Sequence, residues 1–188
     1  MFSSKNKFRD NLLFSYSAIF LVVALIILTY LYQREKDYRS ATLDDELLNI
    51  TKIVDNYINI NSIHISGEYK KIDSLHYILP HPNLRVTVID TSGKVLYDSF
   101  VHNYDTLENH KHRPEIMGSL RNGTGTAIRK SGTTGQDYYY YAKIYDDLVI
   151  RTALVYDINV DYFLKANLKF LIIILCCFAF ISLRIDAF

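Results

Sequence analysis

The chain alternates between long apolar stretches and polar stretches of short period, and each change of period marks a part of the protein. Residues 11–33, NLLFSYSAIFLVVALIILTYLYQ, contain no charged side chain. As a helix rising about 1.5 Å per residue, this run extends roughly 34 Å, enough to cross a hydrocarbon core of about 30 Å. A buried core helix seldom runs so far without a charge. A cleaved signal peptide has a shorter apolar core, about 7–15 residues, followed by a small-residue cleavage site. Here the run leads into YLYQREKDYRS, with no such site, so a membrane span is expected. A second apolar run, FLKANLKFLIIILCCFAFISL, covers residues 163–183. It reaches span length when Lys165 and Lys169 extend to the interface.

Between the two runs the pattern is first helical. Leu43, Leu47, Ile50, Val54 and Tyr57 recur at steps of four, three, four and three, the apolar stripe of a helix with nearly heptad spacing. Such a stripe can dock on the domain's own sheet or pair with the same helix of a second copy. Continuity with the span favours both, with the lower part paired and the upper part docked. Residues 61–83, with Gly67, Pro80 and Pro82, read as irregular, with a short helix around 73–79.

From residue 84 the period changes to alternation. LRVTVID (84–90) and KVLYDS (94–99) read as two β-branched strands joined by DTSG, whose Gly93 suits a tight hairpin turn. A helix starts at Pro114 and ends at Gly123, with Pro early and Gly just past its end. Strands follow at 125–131, 137–145 and 148–156. In the tyrosine-rich strand, Tyr138, Tyr140, Ala142 and Ile144 share one face, and Tyr139, Tyr141, Lys143 and Tyr145 the other. Both faces need cover, which predicts a central place in the sheet. Helix, two strands, short helix, three strands and helix make an α+β domain with an antiparallel sheet.

Charge orders these parts across a membrane. Lys5, Lys7 and Arg9 precede the first span, and cytoplasmic flanks are enriched in Lys and Arg. Lys165 and Lys169 oppose this orientation and Arg184 offsets them in part. The expected organisation is a cytoplasmic N-terminus (1–10), a span (11–33), an extracytoplasmic domain (34–162), a second span (163–183) and the start of a cytoplasmic segment (184–188). The chain is thus a multi-pass protein of the inner (plasma) membrane, with lipid around its helices. The net charge of +1 gives no reason to expect nucleic acid. The two cysteines, Cys176 and Cys177, are adjacent within the second apolar run, so no disulfide framework is available to the domain.

Several segments resemble, in order, the extracytoplasmic PAS-like (PDC-type) sensor region of membrane histidine kinases of the phosphate-regulon type. They are VTVIDTSGKVLYDS (86–99), ENHKHRPEI (108–116), GTGTAIRKSGTTGQDYYYYA (123–142) and LVIRTALVYD (148–157). The resemblance covers residues 84–157 segment by segment and the flanking helices in architecture. It implies a five-stranded antiparallel sheet with a long N-terminal helix between two transmembrane helices, in a homodimer that receives a small-molecule or protein stimulus from outside. A response regulator would be reached only through a kinase part not present in this chain. No G-x-G-x-x-G or P-loop pattern occurs, and every histidine falls in the exported region. The expectation is therefore a signal-input portion without enzymatic activity of its own. The alternatives are the input module of a chemoreceptor or cyclic-dinucleotide enzyme, or a membrane-anchored metal-dependent hydrolase.

The last alternative arises from Glu108, His110 and His112, which alternate as chelating side chains can. Zinc wants three or four ligands, and catalytic motifs usually place two histidines four apart on a helix. The simpler reading makes Glu108, Asn109, His110, Arg113 and Pro114 a structural loop motif. In it Asn109 and His110 bond loop backbone, Pro114 opens the helix, and Glu115 faces the positive end of the helix dipole. No metal or cofactor is expected. Neither a G-x-S-x-G elbow nor an exported cysteine offers a nucleophile. Asp90 and Asp98 read as turn-formers. For a ligand, the resemblance implies a space between the sheet and its covering loops and helices, and the candidates are the polar or aromatic residues Arg129, Tyr139, Tyr141 and Arg151 on the strands taken as central. Arg129 and Arg151 could clamp a small carboxylate or phosphate, or each could pair with an acid of the domain.

Overall fold

The computed structural model describes residues 2–79, 81, 83–101, 103–132, 134–156, 167–170, 172–174 and 176–178. Its first element, α1 (Phe2–Ile60), is one helix of 59 residues, roughly 88 Å long at about 1.5 Å per residue. No glycine or proline interrupts it. The chain divides into two compact units, residues 1–39 with 158–188, and residues 40–157.

In the first unit, Ile19, Leu21, Val22, Leu25 and Ile26 are all exposed. Among the described residues α1 is the one helix long and apolar enough to cross a membrane. Much of the expected second span lies outside the described residues. Its described part, within Leu168–Phe178, is apolar and helical, and the Phe178 ring meets that of Phe20 at 5.2 Å between centroids.

The second unit is an α+β domain. After α1 come a short helix α2 (Ile63–Ser66) and a 3-10 helix (Tyr69–Tyr77), in place of the expected helix at 73–79. The strands are β1 (Arg85–Asp90), β2 (Val95–Asp98), β3 (Thr124–Lys130), β4 (Asp137–Tyr145) and β5 (Leu148–Val155). A 3-10 turn (Tyr104–Thr106) and α3 (Pro114–Asn122) lie between β2 and β3. The strands form one antiparallel sheet in the order β2-β1-β5-β4-β3. This is the expected arrangement of a five-stranded antiparallel sheet with a long N-terminal helix. The central strand is β5, not the tyrosine-rich β4 as expected. Even so β4 is paired on both sides, and residues 138–142 are all buried.

Each face of the sheet has its own cover. Leu47, Ile50, Val54 and Ile58 of α1 are at most 2% exposed and share a core with Val86, Val88, Tyr139, Tyr141, Ile150 and Leu154. The stripe expected to divide between dimer and sheet is therefore buried within its own domain. Thr51, on the same side of α1, bonds the Tyr145 hydroxyl at 3.0 Å. The opposite face packs Ile89, Val95, Ala142 and Val149 against Ile116 of α3. Gly118 and Gly125 let α3 and β3 meet backbone to backbone: a Cβ on Gly125 would lie 2.2 Å from the Glu115 carbonyl oxygen.

Candidate functional site

The loop before α3 is held by the first hairpin. Asp90 caps the turn, its Oδ1 accepting from the Ser92 and Lys94 backbone N–H groups at 2.9 Å. Gly93 has φ +92, a conformation that needs glycine. On this turn the Asn109 side chain donates to the Ser92 carbonyl at 3.0 Å and accepts from the Lys111 N–H at 2.8 Å. The His110 N–H donates to the Gly93 carbonyl at 2.8 Å. Asn109 and His110 thus do bond loop backbone, and Pro114 occupies the first turn of α3. Glu108 and His112 are exposed while His110 is 4% exposed. Among the described residues no three His, Cys, Asp or Glu side chains gather as a metal site.

The geometry splits the four expected ligand residues between the two faces. Tyr139 and Tyr141 belong to the core under α1, where the Tyr139 hydroxyl donates to Asp44 Oδ1 at 2.6 Å. Burial, then the bond to Asp44, pushes its phenol pKa well up. These two tyrosines therefore line no common space with the arginines. Strand alternation dictates this: residues 139 and 141 point away from the face that holds residues 138 and 140.

Arg129 and Arg151 lie on the α3 side, in an ionic layer buried under the loop and helix. Glu115, fully buried at the start of α3, accepts from Arg129 Nη2 at 2.8 Å and from Arg151 Nη1 at 3.3 Å. Its role is to anchor α3 to two strands, beyond the dipole contribution expected of it. Burial raises its pKa, but the Arg129 hydrogen bond and the charges of Arg151 and Arg129 outweigh that and hold the carboxyl below its ordinary value. Asp98, also buried, faces Arg85 at 2.9 Å and Arg151 at 3.7 Å. It accepts further bonds from Thr87 Oγ1 at 2.9 Å and the Phe100 N–H at 3.0 Å. Asp98 is thus the buried centre of a network as well as a strand end. Burial lowers the Arg151 pKa to about 10 against the pull of Glu115, which leaves it protonated at neutral pH. The Tyr140 ring supports the layer, with the Arg129 and Arg151 guanidinium carbons 3.9 and 5.1 Å from its centroid.

Beside the layer lies a cavity of about 190 Å³, lined among others by Arg85, His110, Arg113, Arg129, Tyr140 and Arg151. His110 is pushed down to a pKa of about 4 by burial and then by the charges of Arg151 and Arg113, so its ring is neutral at physiological pH. Its Nδ1 and Arg151 Nε are buried without a hydrogen-bond partner. Arg113 is half-buried, and among the described residues no acid lies within ion-pair distance of it. Of the site residues, Arg85, Asp98, Glu115 and Tyr140 were not legible as such. For Tyr140 the signal was present: it shares its strand face with the partners of Arg129 and Arg151.

No family model matches the chain, and no curated protein matches it. Among solved structures, the sensor domain of the V. cholerae histidine kinase DctB is similar, at 20% identity and a TM-score of 0.42. The match covers 74% of this chain and 56% of that one, so the chain spans little more than half the length of that structure.

Proposed function

We propose that the chain is the signal-input part of a membrane sensor. Residues 40–157 face outside, the apolar segments at both ends cross the membrane, and the output is a histidine kinase of the phosphate-regulon type. The reading assigns the chain no catalytic step of its own. The observation that carries it is the double character of α1. The helix is uncharged over residues 11–33, and further along it supplies the Leu47, Ile50, Val54 and Ile58 stripe of the domain core. A change in how the sheet holds α1 therefore acts on the same helix that would enter the membrane. A stimulus can shift such an equilibrium only by its differential affinity for the two arrangements. A homodimer belongs to this reading, and its pairing surface lies away from the stripe at 43–57, which the sheet already covers.

The experiment is a chimera in which the chain is joined after Phe188 to the dimerising and ATP-binding parts of a membrane histidine kinase. Tyr139→Phe, which loosens α1 from the sheet without touching the membrane segment, is expected to change the autophosphorylation rate in vesicles. Equal rates for the parent chimera, Tyr139→Phe and a Thr51→Val companion would count against the reading.

A further inference from the structure

We infer that the arginine-lined cavity between the sheet and the 104–113 loop binds a short monocarboxylate, with Arg113 as the carboxylate's principal partner. The inference rests on reading residues 40–157 as an input domain and names the chemical class of its ligand.

Charge comes first. Four guanidinium groups line the cavity, those of Arg85, Arg113, Arg129 and Arg151. Arg85 is matched by Asp98, while Arg129 and Arg151 share Glu115. Among the described residues, Glu108, exposed at the cavity wall, is the remaining acid of the lining. Among the described residues, four cations against three carboxylates leave the lining one positive charge in excess, and Arg113 is the guanidinium that makes no ion pair. A monoanion completes the balance. A dianion would hold its second charge near Glu108 or bury it unpaired, which is costly.

Unmet hydrogen bonding comes second. His110 lines the cavity, is 96% buried by its 4% exposure, and has no partner at Nδ1. Buried polar atoms are nearly always bonded in folded proteins, so an exception beside a cavity points to a missing partner. A carboxylate oxygen or a neighbouring hydroxyl of the ligand supplies one. The planar fork of a guanidinium matches a carboxylate in two parallel bonds, which favours this acid over a spherical anion.

Size and wall come third. A volume of about 190 Å³ corresponds to roughly six water molecules at about 30 Å³ each. That admits an acid of about six non-hydrogen atoms, such as propionate or lactate. Leu107 and the Tyr140 ring give its carbon atoms an apolar wall.

The test uses the 188-residue chain in lipid nanodiscs, titrated calorimetrically at pH 7.5 with sodium propionate and sodium lactate. Succinate, inorganic phosphate and sodium chloride serve as controls at matched ionic strength. Saturable one-to-one binding of propionate or lactate is expected, with a Kd of roughly 0.1–1 mM for so small a ligand. Arg113→Met should weaken it at least about ten-fold, the loss of one charged hydrogen-bonding partner. Arg113→Lys keeps the charge but not the fork, and should fall between. The inference is overturned by no saturable heat with either monocarboxylate up to 10 mM of added ligand (about ten times the upper Kd). Succinate or phosphate binding as tightly as propionate would overturn it too, as would unchanged affinity in both Arg113 variants. Binding is read without any output domain, so its failure removes the ligand and leaves the input reading to the chimera.

Discussion

The ionic layer predicts a large cost for neutralising a single side chain. Glu115 is fully buried, and Arg151, one of its two partners, is 2% exposed. Glu115→Gln keeps the shape and one acceptor oxygen but removes the charge. Arg151 is then left with Asp98 at 3.7 Å as its remaining counter-ion. Arg129, at 20% side-chain exposure, recovers part of its loss from water. Removing one partner of a buried ion pair typically costs about 3–5 kcal/mol, because the other charge stays desolvated. The partial compensation by Asp98 and water puts Glu115→Gln near the lower end, about 3 kcal/mol. For a domain of roughly 120 residues, about 4 °C of Tm per kcal/mol makes this a fall of about 12 °C. Near-UV circular dichroism of the tyrosines, followed on heating the chain in detergent at pH 7.5, measures it. The double variant Glu115→Gln with Arg151→Met removes both charges and should lose less than the sum of the two single changes. A Tm fall below about 4 °C for Glu115→Gln, or strict additivity in the double variant, would refute the account of the layer.

Three further outcomes are expected. The depressed pKa of His110, about 4 in the fold against about 6.5 unfolded, means that below pH 6.5 the unfolded chain binds the extra proton. Stability should therefore fall by roughly 2 kcal/mol between pH 6.5 and 5, and His110→Gln should flatten that slope in Tm measured against pH. Gly93→Ala would force a side chain into φ +92 and to within 2.2 Å of Asn109 Oδ1. A loss of more than about 1–3 kcal/mol is expected in urea titration, with faster amide exchange at residues 109–111. Leu47→Ala empties a fully buried position in the core under α1 and should cost about 2–5 kcal/mol. Asn49→Ala, two residues on and exposed, should leave the melting curve unchanged.

Much of the domain was legible because its elements differ in period. The hairpin at 84–99, the helix opened by Pro114 and closed before Gly123, and the three later strands each carry a local signature, and each appears within a residue or so of its expected limits. Long-range facts were less accessible. The stripe from Leu43 to Tyr57 has the same spacing whether it meets a sheet or a second helix, and only the fold shows that the sheet takes it. The place of β4 next to the centre depends on pairing order, which residue alternation does not encode. At the site, Arg129 and Arg151 could be picked out as charges on strands, although Arg129 lies on the edge strand β3 and not on a central one. Tyr139 and Tyr141 were grouped with them because they share a sheet, yet adjacent residues of one strand face opposite layers.

That same alternation joins the cavity to α1. Tyr140 lies under Arg129 and Arg151, and its neighbours Tyr139 and Tyr141 lie under α1. In β5, Arg151 is bonded to Glu115, and the next residue, Thr152, donates to the Leu47 carbonyl of α1 at 3.4 Å. The ionic layer and α1 are thus two sides of one sheet, separated by single residues in the two strands that hold both. A ligand that draws Arg129 or Arg151 away from Glu115 alters this buried layer, and packed interfaces move between discrete arrangements. On the input reading, the Tyr139–Asp44 and Thr152–Leu47 bonds are where that change passes to the helix. Disrupting them should alter output and, through the same coupling, apparent ligand affinity, whereas Arg113 variants should alter affinity and leave the response at saturation intact.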